Sequence, residues 1–435
     1  MPEQNLKSST ESVEEYIILP RDQHCISREQ IDDDVLKVLY RLHRKGFLAY
    51  LVGGSVRDLL LGRQPKDFDI GTDASPAQIK RLFRNCFLVG KRFRLAHIRF
   101  QGNKLVEVAT FRRHPHPDEL PDDPDAHFHF VQNVFGTPRE DAFRRDFTIN
   151  ALFYDISNFS IVDHVGGLED LQNRQIRVIG DPKVRFEEDP VRMLRALEFC
   201  ARLDFSLEDG IVDTIKECAP LIATASSARI REEMMELYRH KVSGKVLRMS
   251  KEHGLLPHLL AGYAGDEASL QLLQLVDDRT ASGVAIDESF AIAALFLNRY
   301  FKTCPTDRET HITQALHQAN EIIVPHCHYF SIAQGIRHQA RELLVGCFRM
   351  ARGRGMRGER RFLEHPFTPR ALELFRLWAQ VKPELSEMVV NWTEAINRTA
   401  PEQQPTERKK RPRRRRRPRK PHQGAGSHPK GQQRQ

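Results

Sequence analysis

Residues 51–70, LVGGSVRDLLLGRQPKDFDI, restrict the fold of this chain more than any other stretch. The apolar run FLAYLV (47–52) ends in a Gly53-Gly54 turn. A short amphipathic segment with Val56, Leu59, Leu60 and Leu61 follows, Gly62 stops it, and KDFDI resumes a strand pattern. The order is strand, glycine turn, helix, strand. Asp67 and Asp69 are spaced i, i+2, so in a strand both carboxylates leave one face while Phe68 turns to the core. Two hard anionic donors at that spacing suit Mg²⁺ (or Mn²⁺), which takes a few carboxylates together with substrate phosphates. A glycine turn entering a helix presents backbone N–H groups to a phosphate. A DxD by itself is most often a solvated turn, and a Gly-Gly by itself is mostly a turn. It is their succession that points to metal-dependent phosphoryl chemistry.

The remaining pattern divides the chain. Residues 1–26 are polar and expected to be disordered. A head over 27–162 opens on a Ser27/Gln30 capping box and a helix with Ile31, Val35, Val38, Leu39 and Leu42 at helical spacing. Ser75-Pro76-Ala77 starts another helix. HIRFQG (97–102) and KLVEVATF (104–111) read as a hairpin around Gly102-Asn103, and NALFYDIS with IVDHVGG as a further strand pair. Residues 113–132, rich in His, Pro and Asp, read as a mobile loop. From Asp181-Pro182 the period is helical, through a hinge and neck (163–240) and a body (241–400). The last segment, 401–435, cannot build a core.

Charge follows the same division. Thirteen of the 67 Lys and Arg lie in 408–435 with no acidic residue, which leaves 54 basic against 58 acidic side chains elsewhere. The basicity is a tail. Seven scattered cysteines without a CxxC indicate a reducing compartment and exclude a Cys-type zinc site. His326-Cys327-His328 has no second ligand pair at zinc spacing and reads as helix-terminal packing. No apolar leader or membrane-length run is present, so no stable membrane insertion is expected and a cytoplasmic enzyme is the default.

GGSVRDLLLG followed by DFD resembles the head-domain signature of the tRNA nucleotidyltransferase/poly(A) polymerase superfamily, in its bacterial-type class. EDAFRRDFTINALFYD (140–155) is similar to the family's ribose-recognition motif, DHVGGLEDLQNRQIRVIG (163–180) to its hinge, and EEDPVRMLRALEFCARL (187–203) to its base-reading helix. The resemblance covers about residues 45–240. It implies an α/β nucleotidyltransferase (polymerase-beta-like) head, an all-helical neck with base-reading and RNA-binding elements, an RNA-binding helical body, and a disordered basic tail. The implied reaction joins an RNA 3′-hydroxyl to the α-phosphate of a nucleoside triphosphate and releases pyrophosphate. Asp67 and Asp69 are then the metal ligands. Asp146 in RRDFT matches a further motif position, serving the metal site or the ribose hydroxyls, and Glu107 in LVEVATF is a second candidate for the third carboxylate. Gly53, Gly54, Arg57, Arg144, Arg145, Asp189, Arg192 and Arg195 are the implied nucleotide contacts, since a guanidinium fork suits phosphate oxygens and base edges. Arg192 and Arg195 share a helical face, with Asp189 one turn before Arg192.

An Asp189/Arg192 pair reading a Watson–Crick edge accepts adenine and cytosine alike, because both present an exocyclic amine beside a ring acceptor. Two other segments decide. LFRNCFLVGKRFRLAHI (82–98) resembles the segment that marks bacterial poly(A) polymerases, and eleven Lys and Arg between 408 and 420 form a sequence-blind RNA tether. The expected activity is template-independent addition of AMP from ATP to RNA 3′ ends (mRNA, small RNA, decay intermediates), promoting decay, with RNA-decay or RNA-chaperone proteins as candidate partners. The alternative is a CCA-adding tRNA nucleotidyltransferase. A transferase acting on small molecules needs neither helical body nor tail, and a catalytically dead RNA binder does not need both DxD aspartates.

Overall fold

The computed structural model describes residues 16–90, 95–119, 134–260, 263, 265–307 and 309–399. Part of the polar N-terminus, the KRFR of GKRFRLAH, most of the 113–132 loop and the basic tail therefore lie outside the described residues.

Eight strands build the head: β1 Ile17–Leu19, β2 Ala49–Val52, β3 Asp69–Thr72, β4 Cys86–Val89, β5 Leu95–Arg99, β6 Leu105–Thr110, β7 Leu152–Asp155 and β8 Ile161–Asp163. They form one sheet in the order β1-β8-β7-β2-β3-β6-β5-β4. Every neighbouring pair is antiparallel except β3 and β6. The head helices are α1 Asp33–His43, α2 Gly54–Leu60, α3 Pro76–Leu82 and α4 Pro138–Arg144. Their apolar stripes (Val35, Val38, Leu39 and Leu42 of α1, Val56 and Leu59 of α2, Ile79 of α3) pack into the main core. A smaller cluster of Val52, Phe111, Ala142, Ala151, Phe153 and Ile179 is separate from it.

The capping box expected at Ser27 and Gln30 forms, but it opens a single 3₁₀ turn, Arg28–Gln30. Ile31 then turns extended and buried, and α1 starts afresh with Asp32 capping Asp34 N–H. The short Asp side chain reaches its own backbone two residues on, which restarts the helix.

Downstream come α5 Gly167–Asn173, α6 Pro182–Glu188, α7 Val191–Leu203, α8 Ile211–Cys218, α9 Ser227–Arg239, α10 Ser243–Glu252, α11 Leu256–Leu259, α12 Glu267–Ala281, α13 Glu288–Thr303, α14 Ile312–Tyr329, α15 Gln334–Ala351, α16 Glu359–Leu363, α17 Thr368–Val381 and α18 Ser386–Thr399. Helix α13 is buried almost all round, from Ser289 to Asn298, and α12, α14 and α15 pack against it. No helix among the described residues is long and apolar enough to cross a membrane.

Candidate active site

Strand β2 runs into the glycine turn, and its antiparallel pairing places Val52 opposite Asp69. The turn and the second aspartate thus sit at one end of adjacent strands. Gly53 has φ +72°, where a side chain is strained, and a Cβ there would lie 3.0 Å from Arg145 Nη1. Asp67 stands two residues ahead of β3, exposed, and Phe68 between the aspartates packs against the core. The parallel pairing of β3 and β6 sets Glu107 beside Asp69. The three carboxylates line one cleft of about 710 Å³ with His97, Lys66 and Lys104. Lys104 is held by Asp32 and by Asp34 at 3.2 Å, and His97 Nε2 meets Glu107 Oε1 at 2.7 Å.

Asp69 keeps an accessible edge while protein crowds its other sides. That crowding, then the charge of Glu107 and, more weakly, that of Asp67 push its carboxyl up to about 6, against the pull of Arg145. Arg145 itself is tied to Asp141 Oδ2 at 2.9 Å and to the Asn150 carbonyl at 3.1 Å.

A divalent ion fits this donor set. Crowded like charges on hard oxygens raise Asp69, and a cation between them would relieve that repulsion. Among the described residues no three His, Cys, Asp or Glu are disposed to enclose a metal unaided. Mg²⁺ does not require such a cage, since it keeps waters and substrate oxygens.

Positive charge gathers nearby in a group only half visible from sequence. Arg144 is lowered by burial, then by Arg112, Arg185 and Arg192, and His114 by burial and then by Arg144, Arg185 and Arg192. Arg185 fixes the group: it donates to the Arg144 and Arg145 carbonyls at 2.8 and 2.7 Å and to Glu188 at 2.6 Å. Arg192 donates to the Arg185 carbonyl at 2.9 Å and to Glu188 at 3.1 Å. Mutually repelling guanidiniums of this kind suit a polyanion such as a triphosphate.

Four expected contact residues already have protein partners. Arg57 is buried, spans Asp58 (2.7 Å) and Asn150 Oδ1 (2.5 Å), and lies over Phe199 at 5.1 Å, which braces α2. Asp146 is not among the residues lining the carboxylate cleft. Its Oδ1 accepts from Phe147 N–H (2.8 Å) and Asn150 (3.1 Å), and its Oδ2 from Arg195 (2.8 and 2.9 Å). Burial raises Asp146, but Arg195 and these bonds outweigh it and hold the carboxyl below its usual range. Arg195 pairs with Asp146 and with Glu233 at 3.3 Å, so it ties the head to α9. Asp189 stands one turn before Arg192, whose N–H donates to its carbonyl at 3.0 Å, just outside α7. Pro190 forces a break between α6 and α7, and Asp189 occupies it with φ −148° and ψ 90°. There both its oxygens are taken by Arg229 of α9, at 2.8 and 2.9 Å.

Arg112, Arg185, Arg229 and His97 are additions that the motifs do not announce. Only His97 carries a usable signal: a hairpin centred on Gly102 sets His97 opposite Glu107. Arg229 reaches Asp189 across a separation no local pattern encodes.

Three family models match the chain: the poly A polymerase head domain over residues 49–177, a probable RNA and SrmB-binding site of polymerase A over 204–265, and the polymerase A arginine-rich C-terminus over 308–423. Poly(A) polymerase I of Salmonella typhi is 38% identical over 406 residues, 89% of this chain and 87% of its own. The CCA-adding enzyme of Lactobacillus helveticus is 44% identical over 204 residues, 46% of this chain and 49% of its own. Among solved structures, the Bacillus stearothermophilus CCA-adding enzyme in complex with CTP superposes with a TM-score of 0.60 at 28% identity, over 83% of this chain and 80% of that one.

Proposed function

From the premise that this chain belongs to the bacterial poly(A) polymerase I family of nucleotidyltransferases, we propose that it is itself a template-independent poly(A) polymerase. It would transfer AMP from ATP to RNA 3′ ends in the cytoplasm, feeding RNA decay and meeting RNA-decay or RNA-chaperone proteins there.

The observation that carries the reading is the Asp189–Arg229 fork. An enzyme that adds C and then A needs a reading pair free to change partners. Here the carboxylate is held from α9 and Arg192 is braced by Glu188 and the Arg185 carbonyl, bonds that would restrict the reading pair to one arrangement. A single arrangement suits a single nucleotide. The match of a poly(A) polymerase I along most of the chain, against about half for a CCA-adding enzyme, supports the same choice.

In this reading Arg144 and Arg185 draw in the triphosphate, and Arg145 stands between the Gly53 turn and Asp69 to orient it. The RNA 3′-oxygen forms a bond to the α-phosphorus as the bond to the β-phosphate's bridging oxygen breaks, with pyrophosphate leaving. Asp67 and Asp69 would hold a divalent ion, which when bound offers Lewis-acid stabilisation of the attacking and leaving oxygens. Glu107 steadies the local field, its own orientation set by His97.

The test is incubation with Mg²⁺, a generic RNA and each triphosphate separately. Extended growth with ATP alone is the expected result. Addition of two C and one A to truncated tRNA, followed by a stop, would establish the CCA-adding alternative.

A further inference from the structure

The register of the sheet lines up four side chains across four strands. Asp69 of β3 is opposite Glu107 of β6, Glu107 is opposite His97 of β5, and His97 is opposite Phe87 of β4. Residues opposed in this way leave one face of a sheet, so the row that begins in the carboxylate cleft ends at an aromatic ring. The other face of these strands is core, with Ala96, Ile98, Val106 and Val108 buried. On the outward face Phe87 is 40% exposed, Val89 40% and Leu105 48%. Single apolar residues at a surface need no explanation, but these three share a face that leads into the reaction cleft. Leu105 lines that cleft, and the Phe87 ring packs on His97, which lines it too, with centroids 5.9 Å apart at 65°. Phe87 also lines an open hollow of about 640 Å³ with Arg84 and Arg99. The cleft and the hollow therefore adjoin through the His97–Phe87 contact.

In the strand order β2-β3-β6-β5-β4, the glycine turn and Arg145 stand on the β2 side of Asp69, and this row stands on the other. An in-line displacement brings its two reactants to the phosphorus from opposite sides. The triphosphate on the β2 side leaves the β6–β5–β4 side for the acceptor. That side offers a flat apolar ring beside two guanidiniums, which suits single-stranded RNA: a base of any identity stacks on the ring and a phosphate meets arginine. A protein segment adding to the free edge of β4 would have no use for a ring packed on a residue of the reaction cleft. We propose that Phe87 is a positioning residue for the acceptor strand, on which a base upstream of the RNA 3′ end stacks, with an adjoining phosphate at Arg99. The 3′-hydroxyl is thereby delivered toward Glu107 and Asp69. The proposal rests on the reading that RNA is the acceptor. Three strand spacings, about 14 Å, separate Asp69 from Phe87 along the row. A strand stacked at about 3.4 Å per nucleotide covers that in about four, and a more extended strand in fewer. The stacked base is therefore upstream of the terminal nucleotide.

The test combines Phe87→Ala in the full chain with RNA primers that carry one abasic nucleotide at each of the last six positions in turn. KM for RNA in single AMP addition, and affinity by fluorescence anisotropy, are measured for every combination. With intact RNA, Phe87→Ala should raise KM for RNA and weaken binding about 5- to 10-fold, the low end for a lost base–aromatic stack because the ring is only half covered. KM for ATP, and kcat at saturating RNA, should stay as in the parent. An abasic nucleotide at one position between the second and the fifth should cause the same loss, and the two losses should not add. Phe87→Tyr should bind like the parent, Phe87→Leu like Phe87→Ala, and Val89→Ala, on the same face, should be neutral. Should Phe87→Ala fail to fold, Phe87→Leu carries the same cycle. Additive losses at every position would overturn the proposal, as would coupling confined to the terminal or the sixth nucleotide. Phe87→Leu equal to the parent, an equal loss in Val89→Ala, or an equal rise in KM for ATP would overturn it too. If the parent adds no AMP yet the coupling appears in anisotropy, the polymerase reading fails and the stack stands.

Discussion

Removing Arg229 tests whether the base pocket is held from α9. In Arg229→Ala the two bonds to Asp189, at 2.8 and 2.9 Å, disappear while α7 and Arg192 are untouched. Arg229 is half in solvent, with a side-chain exposure of 53% against 21% for Asp189, so the pair belongs to the screened class worth about 0.5–1 kcal/mol. A reading pair released by that amount changes nucleotide preference by about 2- to 5-fold. A carboxylate no longer fixed by the fork would lose the discrimination that its single orientation supplies, so the ratio of kcat/KM for CTP to that for ATP should rise by this factor. Initial rates of single-nucleotide addition with each triphosphate alone measure it, and thermal unfolding should move little. Arg229→Lys keeps the charge but loses the fork and should fall between. An unchanged ratio would refute the argument. So would equal losses for both triphosphates, because a purely structural brace harms both alike.

Asp67→Ala and Asp69→Ala should abolish nucleotide addition in a gel assay while RNA binding persists; full activity in either would remove the metal assignment. Glu107→Gln, which keeps the contact to His97 but loses a charge, should cut activity by about 10- to 100-fold at unchanged RNA affinity. Asp146→Asn leaves Arg195 short of its main counter-charge and should cost about 2–3 kcal/mol in urea unfolding; a neutral effect would mean the network is slack. His326, between Phe296 (5.2 Å) and Phe330 (4.7 Å), is held down to about 4 by burial. Its unfolded form takes a proton near 6.5, so the stability it contributes is complete above that pH and is lost as pH falls toward 4, about 2 kcal/mol by pH 5. His326→Phe should flatten that part of the urea-derived stability profile between pH 7 and 5, and an identical profile would exclude His326 as its source.

Much of the site's chemistry is legible locally. Asp67, Phe68 and Asp69 alternate as their spacing requires, Gly53 occupies a positive φ that favours glycine, and the β5–β6 hairpin turns at Gly102. Such features need only neighbours in sequence. Local reading fails where partners are distant. Arg57 and Arg195 read as ligand contacts because arginine in a motif suits phosphate, yet each is satisfied by Asn150 or Asp146. Asp189 stands one turn before Arg192, as the spacing says, but its capture by Arg229 is not local.

The sequence by itself determined a strand–turn–helix–strand head with a pair of aspartates, a helical remainder and a basic end, because periodicity and turn chemistry are short-range. Tertiary structure decided which carboxylate lies beside that pair and which partners the arginines take. Glu107 came to Asp69 through the single parallel pairing in the sheet. Asp189 was claimed by Arg229 of α9. Charges act through space, so residues far apart in the chain settle what each motif is free to do.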